Sequence, residues 1–384
     1  MMLALLLARS GVRVVVLEKH ADFLRDFRGD TIHPSTLDVM AELGVLEEFL
    51  QRPHQRADRL SGRVGDTVVT VADFTHLPTR CKFLAFMPQW DFLNFLAEKA
   101  HAFPTFDLRM QARVEDLLWD GERVAGVRAQ TPDGPLEIRA ALTVGADGRE
   151  SMARACADLA IEEVGAPMDV LWLRLTTSPD DPHDTFGYIR DGRILALIDR
   201  GEYWQCAYVI PKGTLAQVKA KGLEAFREQI RAMVPFLGSR VGELQRWEDI
   251  RLLTVRVNRL RRWYRAGLLC IGDAAHAMSP IGGVGINLAI QDAIAAANIL
   301  ASALRDGNVS LDDLQRVQRR RELPARITQT VQVFLGERVI GRVLSNGRSP
   351  LLGLLRALSR YLPFLARIPA RLVGLGFRPE HVDV

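Results

Sequence analysis

Lysine is scarce in this chain. It supplies six of 384 residues, against 44 arginines. The arginines are scattered, and acidic residues nearly balance them, leaving a formal charge of +4. A nucleic-acid footprint takes the form of a basic stripe or patch, so no nucleic-acid partner is expected. Cysteine is scarce too. Cys81, Cys156, Cys206 and Cys270 have no CxxC spacing, and Cys270 falls inside an apolar run. That argues against a zinc site and for a reduced, cytoplasmic protein. No uninterrupted apolar run is long enough to span a bilayer. The apolar stretch at residues 1–8 has no basic residues before it and no small-residue cleavage site, so it does not read as a signal peptide. Internal repeats and low-complexity segments are missing, as are a Ser/His/Asp order, an HExxH helix and a P-loop. No metal ligands are expected.

What the sequence does have is a glycine-rich turn between a strand and a helix. Residues 268–271 are a short apolar run, read as a buried strand. Residues 272–285 form a loop with four glycines and one proline, and residues 286–303 an Ala/Leu/Ile-rich helix. Glycine lets backbone approach a ligand without a Cβ clash. A helix start offers unpaired N–H groups and partial positive charge. Asp273 on its own is equally a turn cap and a ligand for a polyol. With Pro280, Gly282, Gly283, Gly285 and Asn287 behind it, cofactor binding is the better reading. His276 in the same loop is tempting as a base, but a structural histidine bonding nearby backbone is the simpler role.

A second unit opens the chain. Residues 2–10 read as an apolar helix closed by Gly11, and residues 12–17 as a β-branched strand ending in Glu18. Helix, glycine, strand and acid form the second half of a βαβ dinucleotide unit, with the acid placed for ribose hydroxyls. The strand and G-x-G-x-x-G of the first half are not in this sequence. Further on, 34–49 and 89–102 read as helices. Residues 108–118, 123–130 and 136–144 read as antiparallel strands joined by Asp-Gly turns. Asp147-Gly148, followed by Ser151 and Arg154, makes a second acidic turn. Residues 171–211 are the most strand-rich part, with turns at Asp191-Gly192 and Arg200-Gly201. Residues 311–343 and 351–377 read as helical, the latter broken by Pro363 and Pro369.

These segments together resemble the single-component FAD-dependent aromatic hydroxylases, the class A flavoprotein monooxygenases typified by para-hydroxybenzoate hydroxylase. Gly272-Asp-Ala-Ala-His276 with the glycine run to Asn287 is similar to that family's GD motif. Residues 145–154 are similar to its DG motif. The resemblance implies an α/β fold: a Rossmann-like FAD-binding domain, without its first strand and GxGxxG, an inserted mixed β-sheet substrate domain and C-terminal helices. It implies a discontinuous FAD domain at 1–56, 89–158 and 254–305, a substrate domain at 57–88 and 159–253, and a helical region at 306–384. Glu18 then holds the adenosine ribose, Lys19 beside it also binds the cofactor, and Val114 touches adenine through its backbone. Arg28, Gln89 and Asp147 lie near the cofactor. Asp273 bonds the ribityl chain. Pro280, Gly282, Gly283, Gly285, Ile286 and Asn287 surround the pyrimidine edge of the flavin. NADPH or NADH visits transiently, and O2 is activated as a flavin C4a-hydroperoxide that hydroxylates an aromatic or polyketide-like substrate. The flavin carries the chemistry, so no side chain is named as catalytic. A monomer or homodimer, with no membrane partner, is expected. A sister-fold halogenase or prenyl reductase, or a truncated flavoprotein without turnover, are the alternatives. The stretch Trp204-Gln-Cys-Ala-Tyr-Val-Ile-Pro211 lacks the second tryptophan of the halogenase pattern.

Overall fold

A computed structural model of the chain describes residues 1–24, 31–182, 186–346, 353, 357 and 361–384. Helix α1 (Met2–Arg9) is apolar on every side and buried from Met2 to Ala8. It ends where Gly11 adopts a φ of +81°, a left-handed cap that glycine accepts without strain. Strand β1 (Val14–Leu17) follows. Helix α2 (Pro34–Glu42) begins on a proline, which suits a first helical turn. The expected 34–49 helix stops there, because Gly44 breaks it with a φ of +75° before a short turn, Leu46–Phe49.

Strands β2 (Arg59–Val64) and β3 (Thr67–Asp73) form a hairpin, and helix α3 (Gln89–Ala100) leads into β4 (Phe106–Arg109). The expected single strand over 108–118 is two strands. β4 pairs in parallel with β1, while β5 (Arg113–Asp120) pairs antiparallel with β6 (Arg123–Thr131). The bend between them falls at Gln111, whose φ is +55°. β7 (Gly134–Arg139) completes that three-stranded ribbon. β8 (Thr143–Gly145) runs parallel to a strand more than a hundred residues later, introduced below as β14. The β1–β4 and β8–β14 pairs are both parallel, and the second is closed by a return crossover through the whole middle of the chain.

That middle is one mixed seven-stranded sheet. It contains β9 (Met168–Thr176), β10 (Phe186–Arg190), β11 (Arg193–Asp199), β12 (Tyr203–Pro211) and, beyond helix α4 (Leu223–Met233), strand β13 (Arg251–Leu253). Its order is β13-β9-β12-β11-β10-β2-β3, with β10 and β2 parallel and the others antiparallel. The turns expected at Asp191-Gly192 and Arg200-Gly201 sit between its strands. One face packs Leu171, Leu173, Trp204 and Cys206 against Phe226 and Ile230 of α4. The opposite face carries Val170, Ala207, Val255 and Val257.

The chain then returns through β14 (Leu268–Cys270) to α5 (Gly285–Arg305), α6 (Leu311–Leu335) and α7 (Arg367–Gly374). The stretch Ile281–Arg305 is long and apolar enough to cross a membrane by composition alone. Its burial explains that composition: α1, β14 and α5 share one hydrophobic core, so α5 is apolar because it is enclosed by protein. α6 continues through Pro324 and passes into a π-helical turn, Gly336–Gly341. Val333 near its end packs on the second face of the large sheet, so α6 bridges the sheet and the returning β14–α5 segment.

Candidate active site

β14 is fully buried, and burial pushes the Cys270 thiol up to about 12, which makes it an inert core group. The chain leaves the strand at Gly272 and Asp273, passes through two 3-10 turns and a two-residue strand at His276–Ala277, and enters α5 at Gly285. A Cβ on Gly285 would lie 3.9 Å from Asp273 Oδ1, so the carboxylate sits beside the first residue of α5. The first N–H groups of α5 have no acceptor within the helix. Carboxylate, glycine turn and helix start therefore meet at one place. Gly283 is required there: its φ is +62°, and a Cβ would come within 2.9 Å of Thr31 Oγ1. Asp273 Oδ2 accepts from Arg149 Nε at 3.0 Å, and Arg149 Nη2 donates to the Met278 carbonyl at 3.1 Å. This arginine of the acidic turn was not singled out from sequence.

Asp147 caps the short helix Met152–Cys156. Its Oδ1 accepts from Ser151 Oγ at 2.5 Å and its Oδ2 from the Ala153 N–H at 3.1 Å. Arg154 donates to the carbonyls of Ala274 and Arg149. The two acidic turns are thus joined side to side.

A buried polar lattice stands against the loop. His276 is 1% exposed, but its Nε2 meets the Asp292 carboxylate at 2.6 Å, a side-chain partner where sequence suggested backbone. Asp292 also accepts from the Gly272 N–H at 3.0 Å and from Arg321 Nε at 3.1 Å. Burial alone would raise the Asp292 pKa, but His276, Arg321 and the Gly272 N–H outweigh it and hold the carboxyl below its ordinary range. Asn287 does not stand alone at the loop. Its Oδ1 accepts from Ser35 Oγ and Thr36 Oγ1, both at 2.9 Å. His33 is fully buried between two carbonyls, with Nδ1 2.6 Å from Val373 O and Nε2 3.0 Å from Gly283 O.

From α6, Gln329 Nε2 donates to the carbonyls of Asn258 and Ala277, and Gln332 bonds Ser279 and Ile281. Together with Gln318 and Arg321 these form a helical stripe. That spacing was the available signal. Glutamine and arginine on a helix usually face water, so the spacing alone does not mark them as buried.

The other end lies where β1 finishes. Glu18 N–H bonds Arg109 O, and Glu18 O accepts from the Ala112 N–H, both at 2.9 Å. These bonds tie the acid to the segment leading into β5, where Val114 is half-buried opposite Ala129. Beside it an open cleft of about 560 Å³ is lined by Lys19, His20, Gln111, Arg113, Gln130 and Thr131, among others. Gln89 opens α3 and is half-buried. Arg28 lies outside the described residues. Among the described residues no cluster of His, Cys, Asp and Glu could hold a metal ion.

The donor set fits FAD. A carboxylate for polyol hydroxyls stands at a helix start suited to the electron-rich edge of a flavin, and a second acid ends β1 where a ribose belongs. The sequence profile of the FAD binding domain family matches residues 1–331. The chain belongs to this family. It is 34% identical to 6-methylpretetramide 4-monooxygenase of Streptomyces rimosus over 95% of this chain and 88% of that protein. It is 30% identical to a rifampicin monooxygenase of Streptomyces venezuelae over 76% of this chain and 60% of that one. In structure it resembles p-nitrophenol 4-monooxygenase of Pseudomonas putida, with a TM-score of 0.77 at 19% identity, covering 98% of this chain and 95% of that one. Anhydrotetracycline hydroxylase of Streptomyces rimosus gives 0.75 at 23% identity, over 99% and 74%. Those two likenesses establish the α/β fold with its inserted sheet. Family and relatives make this chain an FAD-dependent oxidoreductase of the monooxygenase class.

Proposed function

We propose that the chain hydroxylates an aromatic, polyketide-like small molecule, using NADPH or NADH as the source of electrons. The observation that carries this reading is the Asp273 carboxylate set against Gly285 at the start of α5, inside the segment that the family profile covers. The substrate class follows from relatives whose names specify pretetramide and rifampicin oxygenation. A bound FAD would supply two-electron uptake from the nicotinamide and transfer of one oxygen atom of O2 to an electron-rich ring, with the other atom reduced to water.

The protein's part is to bind and orient. Glu18 accepts hydrogen bonds from ribose hydroxyls, and Lys19 and the Val114 backbone flank the adenosine. Asp273 accepts from the ribityl chain, and Arg149, its partner at 3.0 Å, holds the carboxylate in position. The α5 start, with Pro280, Gly282, Gly283, Gly285 and Ile286 around it, supplies N–H groups and a positive dipole end to the charge-rich edge of the ring. Asn287 acts indirectly in this arrangement, tying α5 to Ser35 and Thr36. Asp147 acts indirectly as well, by capping the helix beside Arg149. The large sheet covers the substrate and excludes water from the reacting atoms. Residues 57–88 and 159–253 form the substrate domain in this reading.

The test is direct. Purified protein supplied with FAD is yellow, and phenols or aromatic polyketides speed its NAD(P)H oxidation. The product is one oxygen atom heavier than the substrate. Protein that takes up no FAD, or NAD(P)H oxidation that no aromatic compound accelerates, would overturn the proposal.

A further inference from the structure

Gln332 makes three hydrogen bonds to two residues of the flavin loop. Its Oε1 accepts from the Ser279 N–H at 3.1 Å, and its Nε2 donates to Ser279 O at 2.9 Å and Ile281 O at 2.8 Å. The side chain is 4% exposed and uses both of its N–H donors on this one turn. Pro280, between the two residues, has no N–H, and the turn's own bonds run from Ile281 N–H to Ser279 Oγ at 3.4 Å and from Gly283 N–H to Pro280 O at 3.1 Å, neither of which holds the carbonyls of Ser279 and Ile281. The next carbonyl but one, Gly283 O, is held by His33. Three carbonyl oxygens of the loop that leads into α5 are therefore directed to buried side chains. The N–H groups at the α5 start remain for a ligand.

We propose that Gln332 is a positioning residue for the flavin. By capturing the carbonyls of Ser279 and Ile281 it fixes the peptide orientations of the turn before α5, and so sets both the affinity for FAD and the electrostatics at the ring. This rests on the reading above that the loop holds the pyrimidine edge. A peptide released from Gln332 is free to rotate its carbonyl toward the ring. A carbonyl dipole there opposes negative charge on the reduced flavin.

Position on α6 separates this role from ordinary support. Gln318 lies on the same buried stripe and makes the same kind of bonds, from Trp263 N at 3.0 Å and to Arg261 O at 3.0 Å, but it touches no residue of the loop. The experiment compares Gln332→Met with Gln318→Met in the full chain. FAD titration, the visible spectrum of the bound flavin, its reduction potential and far-UV circular dichroism of the apoprotein are all measured. Gln332→Met is expected to raise the Kd for FAD by about tenfold or more, the size of one lost charge-neutral hydrogen-bond set. It shifts the flavin band and moves the potential to more negative values, with apoprotein dichroism unchanged. Gln318→Met lowers the melting temperature and leaves flavin spectrum and Kd at wild-type values.

A second variant guards against misfolding of the first. Gln332→Glu keeps the shape. When protonated it still donates once and accepts once, and when ionised it repels both carbonyls. Its FAD affinity should fall with rising pH more steeply than that of the wild type. The proposal is overturned if Gln332→Met keeps the wild-type Kd and spectrum, if both methionine variants alter the flavin alike, or if Gln332→Glu follows the wild-type pH profile. Wild-type protein that binds no FAD would instead sink the functional reading itself.

Discussion

At the loop end of the site, Asp292, His276 and Arg321 are at most 1% exposed, and every contact they make to the turn is preset by the fold. At the β1 end, Lys19 and His20 are exposed beside an open cleft, and the acid that marks the place follows a four-residue strand. The loop end is thus part of the core, whereas the β1 end is surface. The difference teaches where damage should show. Substitutions in the Asp292 ion cluster behind the loop should unfold the chain and lose the cofactor together. Substitutions at β1 should change binding and leave folding alone.

The largest effect is expected at Asp292. Removing one member of a buried, hydrogen-bonded ion cluster leaves uncompensated charge, and Asp292→Ala should cost roughly 3–5 kcal/mol of stability. Urea denaturation of the apoprotein measures it. A loss of less than about 1 kcal/mol, the scale of a surface pair, would show that the loop end is not anchored in the core as argued.

Next comes Asp273, which the proposed reading sets against the ribityl chain. Its pair with Arg149 is a quarter to a third exposed, so its contribution to folding is small. As an acceptor for ribityl hydroxyls it is worth more. Asp273→Ala should weaken FAD binding by roughly ten- to a hundredfold with the urea midpoint nearly unchanged. Unaltered flavin content after gel filtration would refute that role. Glu18→Gln should be milder still, at about three- to tenfold, because an amide oxygen still accepts and the surrounding cleft is wet. If Glu18→Gln outweighs Asp273→Ala, the comparison between the two ends is reversed.

The sequence carried a good part of this architecture. The glycine turn, both acidic turns, the apolar α1 and the strand-rich stretch 171–211 with its two Gly turns are local signals, and each lies where its residues said. The bend at Gln111 was not legible, because its left-handed conformation is unusual for glutamine and residues 106–120 alternate well enough for one strand. The polar lattice was not legible either. Asp292, Arg321 and Gln332 are separated from the loop by up to 60 residues of helix and turn, and their types predict solvent exposure. Only the packing of α6 across α5 shows that they face inward. Asn287 was placed at the right loop, but its partners Ser35 and Thr36 lie some 250 positions away in sequence.

The smallest predicted effect concerns His33, the tie between the loop and α7. Burial pushes its imidazole pKa below the ordinary value of 6.5, while the carbonyls of Val373 and Gly283 pull it back up. Burial is the larger influence, so His33 is neutral near pH 7 and donates to one carbonyl at a time. As pH falls below about 6.5, the unfolded chain takes up the proton before the folded one does. His33 therefore contributes fully above that pH, and its contribution is lost as pH falls toward the lowered folded value. His33→Gln keeps one donor for a carbonyl and cannot titrate. The variant should be somewhat less stable at pH 8, and the gap should narrow between pH 7 and 5 when both proteins are unfolded in urea across that range. A gap that widens on acidification would mean that the two carbonyls win, that His33 is charged in the fold, and that the loop end is held by an ion as well as by neutral bonds.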